Sequence, residues 1–268
     1  YASLNPHLFK RVKAVYEKRH ELGLDKDQMM LLEDNYKGFV RGGANLSDED
    51  KSLYSSWAEQ LSLATLQFSK NVLAATNAYT LHITDEADLA GLPEYAKVMG
   101  AETAKEKGLE GWAFTLDYPS YGPFMKYSTV RNLRQDMWVA YNSRALGGEF
   151  DNSEIVKTIV DLRIKMANIL GYETWADYQL EERMAKDKKT VNEFISQLLV
   201  PSMEYALKDV EDVFKYAKKN GFEGDKLMPW DFSFWSERYQ EAEYSLNAEE
   251  LKPYFRLESC IDAVFDLA

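Results

Sequence analysis

Apolar positions recur at helical spacing along most of this chain, and breaks in that spacing divide it into elements. Asn5-Pro6 can open a first helix, since asparagine caps and a proline at the first position lacks no needed N–H. Leu8, Val12, Val15 and Leu22 are expected to carry its buried face as far as Gly23. A second helix from Asp25 sets Met29, Leu32, Tyr36 and Phe39 on one side and stops at Gly42-Gly43, so the two predict an antiparallel hairpin. From Ser47 the apolar residues Leu53, Trp57, Leu61, Ala64, Phe68, Val72 and Ala75 step by three or four, which keeps one face over a helix of roughly 30 residues and about 45 Å.

The period then changes to two. Tyr79, Leu81 and Ile83 alternate with polar neighbours, as do Trp112, Phe114 and Leu116, and a helix between Pro93 and Gly108 separates these two candidate strands. Residues 118–123 read as a loop on their prolines and glycine, followed by a helix from about Phe124 to Ala145. Ile159, Leu162, Met166 and Ile169 form the next apolar face, ended by Gly171, and Thr174 with Asp177 makes a capping pair for the helix after it. Thr190 and Glu193 read as a second capping box, opening a helix to Lys219 with a kink expected near Val200 because Pro201 removes one hydrogen bond. Pro229-Trp230-Asp231 opens a further segment, and residues 260–268 read as an amphipathic helix. The fold class is therefore mainly α, an elongated multi-helix domain with a small embedded β element. Its sub-regions are expected at 1–78 (hairpin and long helix), 79–122 (a small α/β insert) and 123–268 (a helical bundle).

Composition narrows the partners. With 46% hydrophobic and 28% charged residues the chain is globular, and its formal charge of -12 opposes a nucleic-acid partner. No apolar run approaches the roughly 20 residues of a membrane helix. One cysteine, Cys260, suits a reducing compartment, and the cytoplasm is the expected location. A first residue other than methionine and a last helix without a stop signal suggest a piece of a longer polypeptide.

Little in the residues announces chemistry. His7, His20 and His82 are the only histidines, and His20-Glu21 is followed by Leu24 where a zinc-binding H-E-x-x-H helix would need its second histidine. Glu181-Glu182 reads as a solvated face. Arg131, Arg134 and Arg144 fall roughly along one helical side, which fits either ion pairs within this acidic chain or a wall that meets a peptide carboxylate. Tyr118 and Tyr121 either line a channel or close a loop.

The wording of several stretches is more specific than their chemistry. N-I-L-G-Y-E-T-W-A-D-Y-Q-L followed by R-M-A within 162–185, T-L-D-Y-P-S-Y at 115–121, and P-W-D then Y-F near the end resemble the zinc oligopeptidases that include thimet oligopeptidase and neurolysin. L-F-K-R-V-K-A-V-Y at 8–16 and F-V-R-G-G-A from Phe39 look closest to the bacterial peptidyl-dipeptidase Dcp of that family, and the resemblance covers nearly the whole chain. It implies a two-lobed, zincin-type metallopeptidase that hydrolyses short peptides in a deep channel, as a peptidyl-dipeptidase or oligopeptidase. The zinc ion of the intact enzyme would polarise the scissile carbonyl and activate water, with the motif glutamate as base. All those groups would lie beyond Ala268. This chain, with no catalytic or metal residue of its own, would supply scaffold and channel wall, with Tyr118, Tyr121, Arg131 and Arg134 as channel-wall or substrate-positioning candidates. The missing catalytic part of the same polypeptide would be its partner, and short peptides its substrates. The alternative is a non-enzymatic helical interaction module, which composition and periodicity equally allow.

Overall fold

The computed structural model describes residues 5–245 and 248–268. Twelve α-helices are described: α1 (Pro6–Glu17), α2 (Lys26–Arg41), α3 (Asp48–Ala78), α4 (Glu94–Glu106), α5 (Tyr118–Tyr127), α6 (Arg131–Asn142), α7 (Ser153–Ile169), α8 (Trp175–Leu180), α9 (Lys188–Lys219), α10 (Pro229–Tyr244), α11 (Ala248–Leu251) and α12 (Leu257–Leu267). Two short strands, β1 (Leu81–Ile83) and β2 (Trp112–Phe114), complete a mainly α architecture. The chain divides into two compact units, Tyr1–Leu73 with Ala145–Gln197, and Ala74–Arg144 with Leu198–Ala268.

In the first unit α1 and α2 pair through aromatic rings, with Tyr16 stacked on Tyr36 at 3.8 Å and Phe9 beside Tyr36 and Phe39. Helix α1 is shorter than its apolar pattern suggested, ending at Glu17, and its buried residue is Phe9. Leu8 and Val15 are exposed instead, because the three-turn helix meets α2 along its aromatic edge. Asp25 caps α2 in a reciprocal pair with Gln28. Helix α3 keeps Trp57, Leu61, Ala64, Phe68 and Val72 partly covered, as its spacing predicts, while Leu53 lies open. The buried Asn152 donates to the Phe68 carbonyl at 3.1 Å and accepts from Asn71 at 3.0 Å, fixing α3 against the start of α7.

The corner between α7 and α8 follows the sequence closely. Gly171 sits at φ +88°, the Tyr172 N–H donates to the Ala167 carbonyl, and the Gly171 N–H donates to that of Asn168, a two-bond helix ending that needs a left-handed residue. Thr174 then caps α8 by accepting from the Asp177 N–H at 3.2 Å, while Asp177 accepts from the Thr174 N–H. Hydrogen bonds to Thr174 and to Lys188 hold the Asp177 carboxyl below its usual value. Glu181 and Glu182 stay open to solvent, as expected, and are also paired. Arg41 and Tyr172 both donate to Glu181, and Lys37 pairs with Glu182, tying α2 to the end of α8.

Helix α9 begins at Lys188, and its cap is Asp187, which accepts from the Thr190 N–H at 2.7 Å. The capping box expected of Thr190 and Glu193 therefore does not form. A carboxylate three residues earlier is an equally short acceptor and starts the helix sooner.

In the second unit β1 and β2 pair antiparallel, Leu81 opposite Phe114 and Ile83 opposite Trp112. Helix α4 covers the sheet, with Gly100 close to the Phe114 ring. Ile83, Leu89, Leu92, Phe114, Leu116, Phe124, Met125 and Met137 form the core. The largest departure from the sequence reading lies here, because residues 118–123 are helical rather than a loop. Pro119 occupies the first turn of α5, where its locked φ suits a helix and its missing N–H costs nothing. The Ser120 and Tyr121 N–H groups donate to the Asp117 carbonyl, and the Ser120 hydroxyl accepts from the Thr115 N–H. The single helix expected from Phe124 to Ala145 is correspondingly two, broken at residues 128–130, where the Thr129 N–H leaves the helical pattern and donates to the Ala90 carbonyl.

Candidate functional site

The four candidate positions lie on α5 and α6. Tyr118 opens α5 with its side chain exposed (74%). Tyr121, one turn on, is half-buried and stacked on Tyr141 at 4.2 Å, and burial, then Tyr141, pushes its phenol up to about 12. Arg144 lies 3.7 Å over the other ring of that stack and donates to the Tyr141 carbonyl and to the Thr76 hydroxyl. It thus closes an aromatic pile and does not share the surroundings of Arg131 and Arg134.

Arg131 and Arg134, one turn apart on α6, converge on Asp231, which is fully buried at the third position of α10. Arg131 grips the carboxylate with two parallel bonds, Nε to Oδ1 at 2.8 Å and Nη2 to Oδ2 at 2.7 Å, the planar fork geometry that suits arginine. Arg134 adds Nη2 to Oδ1 at 3.2 Å and spends its other donors on the carbonyls of Ser128 (2.7 Å) and Trp230 (3.0 Å). The Met228 N–H donates to Oδ2 at 3.1 Å. The arginines' environments differ. Burial lowers the Arg134 pKa against the pull of Asp231, whereas the hydrogen bond to Asp231 raises that of Arg131.

Arg134 also fills the break between α5 and α6, since its bond to the Ser128 carbonyl satisfies a buried acceptor left outside the helices. Its guanidinium lies 4.1 Å from the Phe234 ring centre, and Arg238 lies 3.4 Å from the same ring. Beside this cluster opens a cavity of about 440 Å³, lined by Arg131, Phe222, Glu223, Phe234 and Trp235 with Gly221 and Gly224. Asp231 and Phe222 join the site in the structure without being among the candidate positions. The signal for Asp231 was present in Pro229-Trp230-Asp231, whose aspartate falls where a helix's first turn welcomes a carboxylate.

The histidines do not converge. His82 faces outward on β1 and its Nε2–H donates to the Glu110 carbonyl at 2.6 Å, while His7 and His20 are exposed. Among the described residues no group of three or more His, Cys, Asp or Glu side chains is placed to hold a metal ion, so the donor set does not fit a catalytic zinc.

Relatives supply what the geometry leaves open. The profile of peptidase family M3 matches residues 124–268, more than half of the chain and including the whole arginine cluster. The chain belongs to peptidase family M3. Across its length it is 36% identical to a probable cytosolic oligopeptidase A of Arabidopsis thaliana, covering 97% of this chain and 38% of the relative. Oligopeptidase A of Escherichia coli is 34% identical over 97% of this chain and 39% of its own length, and dipeptidyl carboxypeptidase of the same bacterium is 30% identical over 97% and 38%. The chain therefore spans well under half the length of these M3 relatives. Both oligopeptidase A and dipeptidyl carboxypeptidase occur among them, and the identities of 36% and 34% to the former against 30% to the latter do not favour the particular likeness to peptidyl-dipeptidase Dcp expected from residues 8–16.

Proposed function

We infer that this M3 chain is the scaffold and channel-wall portion of a longer zinc metallopeptidase that hydrolyses short peptides, and that catalysis belongs to a part of the polypeptide outside these 268 residues. The observation that carries this reading is the alignment of nearly the whole chain with only about two-fifths of each relative, without a metal-binding cluster among the described residues. The relatives' names, oligopeptidase A and dipeptidyl carboxypeptidase, support short peptides as substrates. Zinc, when bound by the catalytic part, would polarise the scissile carbonyl and lower the pKa of its water. Of the four candidate positions, Tyr118 and Arg131 retain exposed groups with which to meet a peptide, and Arg134 steadies Arg131 through their shared carboxylate.

Uncovered apolar surface supports the missing catalytic part as partner. Helix α9 exposes Phe194, Leu198, Leu199, Met203 and Leu207, and α12 exposes Leu257, Val264, Phe265 and Leu267. Such contiguous apolar faces ordinarily mark an interface. No helix is long and apolar enough to cross a membrane among the described residues, and we place the protein in the cytoplasm, in keeping with the single cysteine and the cytosolic Arabidopsis relative.

The test is the longer polypeptide encoded around this chain, assayed on fluorogenic peptides of up to about a dozen residues and on a folded protein. The expected result is cleavage of the peptides alone, abolished by a chelator and restored by zinc. Peptide cleavage indifferent to chelation would overturn the assignment.

A further inference from the structure

The Asp231 cluster carries more positive charge than its carboxylate neutralises. Arg131 and Arg134 both bond to Asp231, so two guanidiniums share one negative charge at the base of the cavity. Arg238 packs on the same Phe234 ring, donates to the carbonyls of Lys126 and Phe234, and is balanced by the nearby carboxylates of Glu241 and Glu237, so the excess rests on Arg131 and Arg134 alone. This local excess stands in a chain of net charge -12, where a carboxylate partner would have been easy to supply.

The excess is also oriented. Nε and Nη2 of Arg131 are committed to Asp231, which is itself held by Arg134 and by the Met228 N–H, so the guanidinium plane is fixed before any ligand arrives. Its Nη1 makes no hydrogen bond to the described residues, and the side chain is 44% exposed where it lines the cavity. A fixed, partly exposed donor edge recognises a planar anion with little entropy left to lose. The remaining wall is aromatic, with the rings of Phe222 and Trp235 centred 6.0 Å apart and Phe234 at 5.1 Å from Trp235. An anion bearing a flat or branched apolar group matches that wall better than a bare inorganic ion does. Glu223 is the one acidic lining residue. It is exposed, pairs with no cation among the described residues, and places a repulsive charge at the cavity for any simple anion.

We propose that this cavity is a subsite for the C-terminal carboxylate of a short peptide or amino acid with an apolar side chain, the carboxylate meeting the free edge of Arg131 and the side chain meeting Phe222 and Trp235. The choice of peptide over another organic acid rests on the peptidase reading above, whereas the site itself does not. Occupancy requires no metal and no bond cleavage.

The experiment titrates the 268-residue chain with N-acetylphenylalanine, its uncharged amide and inorganic phosphate, following backbone amides of Gly221 and Gly224 and the Arg131 Nε–H by heteronuclear NMR. The acid is expected to shift these three signals saturably, and the amide to bind about tenfold more weakly, as the loss of one charge-assisted contact implies. Glu223→Gln should tighten the acid by roughly threefold by removing a screened repulsion, a gain that misfolding cannot mimic. Arg131→Gln should abolish the response while Arg134 continues to hold Asp231. Equal binding of acid and amide, equal binding of phosphate, or no change in Glu223→Gln would overturn the proposal. Since the ligands are not hydrolysed, loss of this binding in a polypeptide that cleaves peptides rejects the subsite alone, and binding without cleavage rejects the peptidase reading alone.

Discussion

Asp231 has no access to solvent and compensates two guanidiniums, so it is the side chain whose loss the second unit tolerates least. Asp231→Asn leaves the buried Arg134 charge without its counter-ion and should cost about 3–5 kcal/mol, measured by urea unfolding. The position of Asp231 in a first helical turn is legible in Pro229-Trp230-Asp231, but its pairing is not, because it joins residues about a hundred positions apart and no local pattern encodes it. The sequence offered ion pairs as the first use of Arg131 and Arg134 and a peptide-facing wall as the second. The structure commits most of Arg134's donors to the fold and leaves one edge of Arg131 open. Tyrosines provide a second test at this scale. Burial raises Tyr54, Tyr121 and Tyr172 to about 12, with Tyr178, Tyr141 and Glu181 respectively adding to it. An unfolded chain ionises these phenols near 10. The stability they contribute is therefore complete below pH 10 and is lost as pH rises from there through 12. Absorbance titration should find Tyr54, Tyr121 and Tyr172 still protonated at pH 11, and ionisation of these three near pH 10 in the folded chain would contradict their burial.

Whole elements were easier to read than their ends. The α3 register, the two strands and the α7–α8 corner follow from apolar period and capping residues, which act locally. Helix α5 is hidden in the sequence because proline and glycine are loop signals, although proline in a helix's first turn favours the helix and Asp117 provides the first acceptor. The α9 cap was misplaced by three residues because Asp187 outcompetes Thr190. Tight backbone approaches are likewise invisible beforehand. Gly111 precedes β2 at φ +83°, and a Cβ there would lie 2.4 Å from the Ile83 carbonyl oxygen. Gly111→Ala should therefore destabilise the second unit by about 1–3 kcal/mol, read as a lowered thermal midpoint, through left-handed strain and displacement of β1. An unchanged midpoint would mean that the hairpin closes in another way.

At the scale of the molecule, the resemblance carried by the corner at 162–185 and by Pro229-Trp230-Asp231 pointed to the oligopeptidase family before any geometry, and the M3 match over 124–268 agrees with it. What periodicity cannot supply is the identity of whatever covers an apolar face, and α9 and α12 keep large ones open. In the proposed reading those faces meet a catalytic part, and this chain has no catalysis of its own. The most direct test is to assay the purified 268-residue chain and the longer polypeptide side by side on the same quenched fluorescent peptide, with zinc content determined for both. The account predicts stoichiometric zinc and chelator-sensitive cleavage for the longer polypeptide, and neither zinc nor turnover for the chain alone. Chelator-sensitive turnover by the pure 268-residue chain would contradict it.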